Sequence, residues 1–321
     1  MKKISILLFL LLSINSCGPQ ESNTHVEINT SSIVGGELVE KDEFKAVVAL
    51  VRNGDFHCSG VLIAEDVVLT AAHCLGGFAA ESIRVYVGDG EKRPALRAFL
   101  RGQHEVERVI FHPSLKWNER RGFVNFGDYN ANDVGLVFLK EPITDVEPLK
   151  ILENLSVVKN YLKKGQTTTV VGYGYDGEDK PVFTNVTPEY GLKRKVDIMI
   201  KNFNNHEVDI RDDGKDSCYI DSGGPALVNV DGEYQVLALV SGSNGLCGEN
   251  EFPVYYSLVF DSICWIAKET DMKFTDLFRN CDRYQLIQNK CEELPPKPAA
   301  QCASNLSELI FETQILDLHS L

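Results

Sequence analysis

From residue 33 onward, short apolar runs recur along the chain and are separated by Gly, Asn and Asp. The runs are rich in Val, Leu, Ile, Thr and Tyr, several of which are enriched in strands. Many short strands with turn signals between them indicate an all-β sandwich or barrel. The predicted strands cover residues 44–51, 66–71, 83–87, 134–139, 167–171, 234–240 and 254–260.

The first residues have the pattern of an export signal. Lys2 and Lys3 precede an apolar run at residues 4–12 that is broken only by Ser5. This run is too short to span a bilayer but suits the apolar region of a signal peptide, which we predict over residues 1–16.

Ile-Asn-Ser-Cys at residues 14–17 resembles the lipobox of bacterial lipoproteins, in which the cysteine receives a lipid. The asparagine is unusual for that motif, so the match is partial. Two interpretations stay open: membrane attachment through a lipid on Cys17, or cleavage and release. Both place the protein outside the cytoplasm, as a bacterial cell-envelope lipoprotein or a secreted or periplasmic protein, where disulfides persist.

The regions flanking the strand-rich part differ from it. Residues 17–32 are predicted to be a linker or pro-segment, and 18–32 contain no Lys or Arg. A main domain is predicted over 33–272, ending in a helix at 261–272. The tail, 273–321, is predicted to be a disulfide-stapled extension packed on that domain, with a partner-binding segment as the alternative.

Composition and charge narrow the classes of function. The 321 residues are 44% hydrophobic and 24% charged, which is ordinary for a globular protein. The formal net charge of −14 argues against nucleic acid as a partner, because an acidic surface repels phosphate. The sequence contains no HExxH, CxxC, Rossmann or P-loop pattern, so no metal and no cofactor are predicted.

Nine cysteines stand in the sequence. Eight remain if Cys17 is lipidated or removed, and an even number in an exported chain predicts four disulfides.

Three short segments carry candidate chemistry: Thr-Ala-Ala-His-Cys at 70–74, Asn-Asp-Val-Gly-Leu at 132–136 and Asp-Ser-Gly-Gly-Pro at 221–225. A serine hydroxyl is a weak nucleophile that needs a base, and the base needs a group to orient it. Histidine suits the base because its pKa lies near neutrality, and a buried carboxylate can hold its tautomer. His73, Asp133 and Ser222 fill these roles. Each segment alone is a weak signal, but together they are specific.

With these flanks the sequence resembles a trypsin-like, chymotrypsin-fold serine peptidase over about residues 33–272. The resemblance also includes Ile-Val-Gly-Gly at 33–36, Gly-Tyr-Gly at 172–174 and Asp-Ser-Cys at 216–218. It implies two six-stranded antiparallel β-barrels with the active site between them and residues near 145–165 bridging them. It also implies protein or peptide substrates.

The resemblance implies that His73 is the base, Asp133 its orienting group and Ser222 the nucleophile. The amides of Ile220 and Ser222 would form the oxyanion hole. The family usually has glycine at the position of Ile220. A β-branched residue cannot adopt every glycine conformation, so we expect reduced or narrowed activity.

The same resemblance places Asp216 at the base of the primary specificity pocket, with Ser241 and Ser243 on its wall. A carboxylate there would pair with Lys or Arg before the cut bond. A solvated loop aspartate is the alternative. Ser243 stands where the family has a glycine, and a second expected glycine is missing near residues 252–254, which weakens the expectation of Lys or Arg.

Ile33 resembles the new N-terminus that activation creates, and its ammonium would pair with Asp221. Alternatively, Ile-Val-Gly-Gly is only a strand and turn. The activating cut would follow Ser32, and the lack of Lys or Arg before it requires another activating peptidase or a broader specificity.

Two cysteine pairs are implied by the resemblance, Cys58 with Cys74 and Cys218 with Cys247. The other four, Cys264, Cys281, Cys291 and Cys302, allow three connectivities. Because Cys264 lies in the predicted helix, we expect at least one bridge from the tail to the main domain.

An active endopeptidase is the first hypothesis, and a non-catalytic binding protein that kept the fold is the second. An α/β-hydrolase esterase is excluded, because the G-x-S-x-G elbow and the Ser…Asp…His order are missing. The sequence does not indicate an oligomeric state.

Overall fold

The computed structural model describes residues 33–90, 103–113, 115, 132–175, 190–204, 206–243, 245, 247–248, 251–274 and 281, with the backbone of 117–118 and 123–124. The predicted signal peptide 1–16, the linker 17–32 with Cys17, and the tail beyond Cys281 with Cys291 and Cys302 lie outside the described residues.

Strands dominate the described part of the chain, as the apolar pattern predicted. The strands are β1 (Glu37–Leu38), β2 (Val47–Arg52), β3 (Asp55–Ala64), β4 (Val67–Thr70), β5 (Ile83–Tyr86), β6 (Gln103–Phe111), β7 (Trp117–Asn118), β8 (Phe123–Val124), β9 (Gly135–Leu139), β10 (Lys150–Ile151), β11 (Thr167–Gly172), β12 (Arg194–Phe203), β13 (Glu207–Ile210), β14 (Pro225–Val230), β15 (Glu233–Ser243) and β16 (Val254–Leu258). The helices are α1 (Leu155–Tyr161) and α2 (Ile263–Thr270), with 3₁₀ turns at Ala72–Cys74, Ala80–Ser82 and Val259–Ser262.

The first barrel closes in the order β2-β3-β4-β9-β6-β5, and every pairing in it is antiparallel. Successive residues of β2 enter different apolar clusters. Val47 and Ala49 join a large cluster that continues into the second half of the chain, whereas Val48 and Leu50 join a smaller one. Both faces of β2 are therefore buried, which explains its uninterrupted apolar sequence.

The second barrel follows the order β12-β11-β14-β15-β16-β13, and β13 pairs back with β12. These six pairings are antiparallel; β1 adds to the edge of β12, and β10 runs parallel to β15. The prediction of two six-stranded antiparallel barrels is confirmed.

The segment between the barrels contains β10 and α1, within the range expected to bridge them. Asn154 caps α1, because its Oδ1 accepts from the amides of Ser156 (2.9 Å) and Val157 (3.3 Å). The predicted C-terminal helix is present as α2, which buries Trp265 and Ile266. Among the described residues, no helix has the length and apolar character needed to cross a bilayer.

The tail begins with a covalent tie to the peptidase-like domain. Cys264 of α2 is bonded to Cys281, which selects among the three connectivities left open by the sequence. Phe274, between them, is 6% exposed and belongs to the large apolar cluster. The start of the extension is therefore tied to α2 and packed against the large apolar cluster.

Candidate active site

The imidazole of His73 is held by a buried carboxylate. His73 lies in the 3₁₀ turn that follows β4, and Asp133 lies just before β9, its neighbour in the first barrel. Nδ1 of His73 lies 2.6 Å from Oδ2 of Asp133, and the backbone amide of His73 donates to Oδ1 at 2.8 Å. Two bonds to one carboxylate fix the ring's position and leave Nε2 facing away from Asp133.

Asp133 receives a third hydrogen bond from the other barrel. The hydroxyl of Ser241 in β15 donates to Oδ2 of Asp133 at 2.7 Å. Asp133 is fully buried, and Ser241 is 1% exposed. The side chain of Ser241 thus faces Asp133, so any substrate contact by this residue is left to its backbone.

The two charges stabilise each other. Burial alone would lower the pKa of His73, but the charge and hydrogen bond of Asp133 raise that pKa above the ordinary histidine value. Burial alone would raise the pKa of Asp133, but the charge and hydrogen bonds of His73, with the bond from Ser241, lower it. The site therefore favours an imidazolium beside a carboxylate, the charge distribution that proton transfer to His73 creates.

Ser222 lies in the loop before β14, beside the turn that carries His73. Its carbonyl accepts from the amide of Ser59 at 2.9 Å. The Ser222 carbonyl oxygen and Nε2 of His73 lie 3.5 and 3.8 Å from the same atom, Sγ of Cys74. The fold therefore brings His73, Asp133 and the Ser222 loop together, although they are far apart in the sequence.

The position after Ser222 requires glycine for a steric reason. Gly223 has φ +80°, and a Cβ there would collide with Thr70 and with the backbone of Ser59. Only glycine tolerates both the dihedral and the close approach of β3 and β4.

The backbone before Ser222 forms a tight turn. The amide of Asp221 donates to the carbonyl of Cys218 at 3.0 Å, and the carbonyl of Tyr219 accepts from the amide of Tyr175 at 3.0 Å. In a trans peptide the C=O and N–H point in opposite directions, so the N–H of Ile220 points away from Tyr175. That amide is thus left for another acceptor.

Ile220 occupies an unfavourable backbone conformation in this turn. Its φ is +76°, in the left-handed region that disfavours β-branched residues. Its carbonyl accepts from the hydroxyl of Ser59 at 2.9 Å, and that hydroxyl also accepts from the amide of Tyr173 at 3.1 Å. These bonds hold Ile220 in the geometry that a glycine would adopt without strain.

Asp216 lies at the start of the same loop and is 2% exposed. Its Oδ2 accepts from the amide of Gly248 at 3.1 Å, while Oδ1 is buried without a hydrogen-bond partner among the described residues. Burial raises the pKa of Asp216 to about 7, against the hydrogen bonds from Gly248 and Ser217. The environment does not match a solvated loop aspartate.

Two side chains stand on facing strands of the candidate pocket. Ser243 of β15 is paired with Val254 of β16, which is 1% exposed. The hydroxyl of Ser243 accepts from the amide of Gly245 at 3.0 Å and lies 3.4 Å from the carbonyl of Pro253. Val254 therefore stands in the segment where the sequence lacked an expected glycine.

Ile33 is fully buried, and its nitrogen donates to the carbonyl of Tyr175 at 3.0 Å. Asp221 is also fully buried, and its carboxylate accepts from the amides of Gly174 (2.8 Å) and Cys218 (2.9 Å). Ile33 and Asp221 thus bond to adjacent residues, 175 and 174. Burial raises the pKa of Asp221 to about 7.

Disulfides brace the turn that carries His73 and the loop that carries Ser222. Cys58 is bonded to Cys74 and Cys218 to Cys247, the pairs that the resemblance implied. The ligand atoms of Cys58, His73 and Cys74 lie within 4.8 Å of one another, but the two sulfurs are bonded to each other and so offer no thiolate to a metal.

A family model described as Trypsin matches residues 33–266, which includes all of the residues above. The chain belongs to the trypsin family.

Curated members of the trypsin family are distant relatives of this chain. Kallikrein 1-related peptidase b3 of Mus musculus is 29% identical, over 84% of this chain and 98% of its own. Vitellin-degrading protease of Bombyx mori is 26% identical over the same shares. Snake venom serine proteinase 12 of Crotalus adamanteus is 26% identical, over 76% of this chain and 89% of its own. Each of these three relatives is named as a protease, proteinase or peptidase.

A solved structure titled neuropsin, a serine protease expressed in the limbic system of mouse brain, superposes with a TM-score of 0.56. It covers 74% of this chain and 99% of its own, at 22% identity, and therefore supports the fold alone.

The sequence analysis missed Ser59, which links three parts of this trypsin-family site. Its amide bonds Ser222, and its hydroxyl joins Ile220 to Tyr173. The only local signal was its place directly after Cys58, because Ile220, Tyr173 and Ser222 are more than 100 positions away.

Proposed function

We propose that the protein is an exported serine endopeptidase that hydrolyses peptide bonds through an acyl-enzyme. The observation that carries this proposal is the pair of hydrogen bonds from His73 to the buried carboxylate of Asp133, with Nε2 of that histidine beside the Ser222 loop. This arrangement suits a base that takes a proton from one hydroxyl.

In the first half-reaction, Nε2 of His73 takes the Ser222 hydroxyl proton as Oγ attacks the substrate carbonyl. The amides of Ile220 and Ser222 stabilise the oxyanion, and each such donor contributes about 3–4 kcal/mol. His73 then protonates the leaving amine, and the acyl-enzyme remains. In the second half-reaction, water attacks that ester with His73 again as the base.

Oδ1 of Asp216, which has no hydrogen-bond partner among the described residues, supports a preference for Lys or Arg before the cut bond. A buried carboxylate oxygen without a partner gains most from an incoming cation. Ser243 and Val254 are paired on the facing strands β15 and β16 and would restrict the width available to the substrate side chain.

Cleavage between Ser32 and Ile33 would activate the enzyme. In the uncut chain Ile33 has φ +48°, a strained value for a β-branched residue. Cutting the bond separates the Ser32 carbonyl from Ile33. The steric clash between that carbonyl group and the Ile33 side chain, which causes the strain, is then removed. The released ammonium would neutralise Asp221, whose buried charge otherwise has only amide donors.

Export is supported by the signal-like N-terminus and by three disulfides within the described residues. Attachment through a lipid on Cys17 is the finer proposal. Lipid attachment requires that the mature protein isolated from cells begin at Cys17 and carry acyl chains there. A mature protein that begins after Cys17 and is unmodified would refute this proposal.

The test combines covalent labelling and cleavage. After exposure of Ile33 as the N-terminus, we expect stoichiometric labelling by an organophosphonate and cleavage of a peptide library after Lys and Arg. Ser222→Ala should abolish labelling and lower kcat by about 10⁴-fold or more. Ser217→Ala, a serine in the same loop, is the matched control and should still be labelled. If the Ser222→Ala variant is still labelled, the assignment of Ser222 as the nucleophile is refuted.

One observation favours a second candidate, a weakly catalytic or inactive binding protein with the peptidase fold. The positive φ of Ile220 makes the oxyanion-hole turn less stable than a glycine turn would be. This candidate predicts peptide binding without labelling.

A further inference from the structure

Two basic side chains flank an aromatic ring next to His73. The guanidinium carbon of Arg52 lies 3.4 Å from the centre of the Phe78 ring. The His57 ring meets Phe78 edge-on, with centroids 5.4 Å apart. We call Arg52, Phe78 and His57 the basic shelf. It stands out because the protein as a whole carries a formal net charge of −14.

The backbone explains why His57 reaches this place. β2 and β3 form a hairpin whose two turn residues, Asn53 and Gly54, both have positive φ. Leu50 pairs with Cys58 and Val51 pairs with Phe56, so His57 is an extra residue on β3. Such a bulge redirects a side chain, and bulges are common next to active sites.

The hydrogen bonding of His57 leaves one ring nitrogen for a ligand. Nε2 lies 3.2 Å from the carbonyl of Cys74, and because a carbonyl only accepts, Nε2 must carry the proton. No described residue is recorded as bonding to Nδ1. Nε of Arg52 is also buried without a hydrogen-bond partner within the part of the chain that the structure describes.

The basic shelf lies on the leaving-group side of the proposed site. The leaving amine takes its proton from Nε2 of His73, so it departs on that side. Sγ of Cys74 lies 3.8 Å from this nitrogen, and the carbonyl of Cys74 faces His57. The specificity pocket with Asp216 belongs instead to the acyl side.

We infer that the basic shelf selects substrates with an acidic residue at the first or second position after the cut bond. This inference rests on the proposed function. A carboxylate there would meet the guanidinium of Arg52 and Nδ1 of His57.

The charges around His57 make this selection dependent on pH. Burial first, and then the charges of Arg52 and His73, lower the pKa of His57 despite its bond to Cys74. The nearest acid of the hairpin, Asp55, faces the hydroxyl of Tyr190 at 2.9 Å. A substrate carboxylate raises the pKa of His57, so binding of acidic peptides takes up a proton and strengthens as pH falls.

The test uses the cleaved enzyme and matched peptides that differ only by Glu or Gln at the first or second position after the cut. We expect the ratio of kcat/KM for Glu to that for Gln to be about 5 at low ionic strength, which corresponds to about 1 kcal/mol. It should fall toward 1 in high salt and rise from pH 8 to pH 6. Protonation of His73 lowers kcat/KM for both peptides by the same factor. The ratio of the two kcat/KM values therefore does not depend on the titration of His73.

Variants separate the charge of the shelf from its stacking. Arg52→Met keeps an apolar chain over Phe78 and should bring the ratio at pH 8 to about 1, leaving only the rise toward pH 6 that His57 contributes. His57→Phe should abolish that pH dependence. Arg108→Met is the matched control, because Arg108 lies 3.4 Å over the Phe138 ring on another face. The ratio should stay at its wild-type value in Arg108→Met.

If the wild-type enzyme cleaves the Glu and Gln peptides with a ratio of 1, the inference of acidic selection by the basic shelf is overturned, and the peptidase function stands. If neither peptide is cleaved, the peptidase function fails, and the same two peptides are tested for binding to Ser222→Ala. Tighter binding of the Glu peptide than of the Gln peptide to Ser222→Ala supports the basic shelf, provided that this difference is lost in the double variant Ser222→Ala, Arg52→Met. Equal binding refutes it.

Discussion

At the scale of single residues, the most informative departure is Ile220. The turn that aims its amide requires φ +76°, and the hydroxyl of Ser59 holds its carbonyl in place. A left-handed conformation costs a non-glycine residue about 1–2 kcal/mol. That cost falls on the conformation with an oriented oxyanion donor, so it opposes catalysis directly.

We predict that Ile220→Gly raises kcat/KM on small peptides about 5- to 30-fold, because glycine adopts this φ without strain. Steady-state kinetics on the cleaved enzyme measure the effect. Ile220→Ala is the control: it removes the branch but keeps Cβ and should recover only part of the gain. An unchanged or lower value for Ile220→Gly would mean that the strain does not limit the reaction.

At the scale of elements, the contact of α2 with the first barrel contains a buried histidine. His112 follows β6 and is 4% exposed, and its ring lies 5.1 Å from that of Trp265. Burial lowers the pKa of His112 to about 4. Its backbone amide bonds the carbonyl of Val134, next to Asp133, so this contact supports the segment that carries the orienting carboxylate.

Because the folded pKa of His112 is below the unfolded value near 6.5, its contribution to stability is present above pH 6.5. It is lost as pH falls toward 4. We predict that the difference in unfolding free energy between wild type and His112→Phe falls by about 2 kcal/mol between pH 7 and pH 5. Chemical denaturation at each pH measures it. His104, in β6, is less buried than His112. The difference in unfolding free energy between wild type and His104→Phe should therefore vary less between pH 7 and pH 5. A pH-independent difference for His112→Phe would contradict the prediction.

At the scale of the whole molecule, the proposed activation joins the N-terminus of the domain to the turn that precedes Ser222. Ile33 bonds Tyr175, and Tyr175 bonds the carbonyl of Tyr219 in the oxyanion turn. Asp221 belongs to that turn as well. A charge placed at Ile33 would thus act on the geometry of the site through two hydrogen bonds.

We predict a bell-shaped pH profile of kcat/KM for the cleaved enzyme. The acid limb reports His73, whose pKa is raised and which must be neutral to act as a base. The alkaline limb reports the Ile33 ammonium, which titrates near 8 when free and higher when paired with Asp221. Activity that stays flat to pH 11 would contradict the ammonium pairing, as would full activity of protein with an intact bond between residues 32 and 33.

Much of this protein was determined by its sequence alone. The short apolar runs separated by turn residues indicated an all-β sandwich or barrel, and the family resemblance implied two six-stranded barrels. β6 and β13 were not among the strands named from the sequence, and both contain charged residues. These are Glu105, Glu107 and Arg108 in the partly exposed β6, and Glu207 and Asp209 in β13, whose four residues are all buried. The sequence also predicted roles for His73, Asp133 and Ser222, because their three motifs, each weak alone, are specific in combination.

Only the tertiary structure decided how those groups are held. The Ser241 hydroxyl reaches Asp133 across 108 positions, and the Ser59 hydroxyl reaches Ile220 across 161. The bulge at His57 depends on the register between β2 and β3. Local sequence patterns report residue type and periodicity, whereas the orientation of a hydroxyl, an amide or a ring is set by partners that only folding brings near.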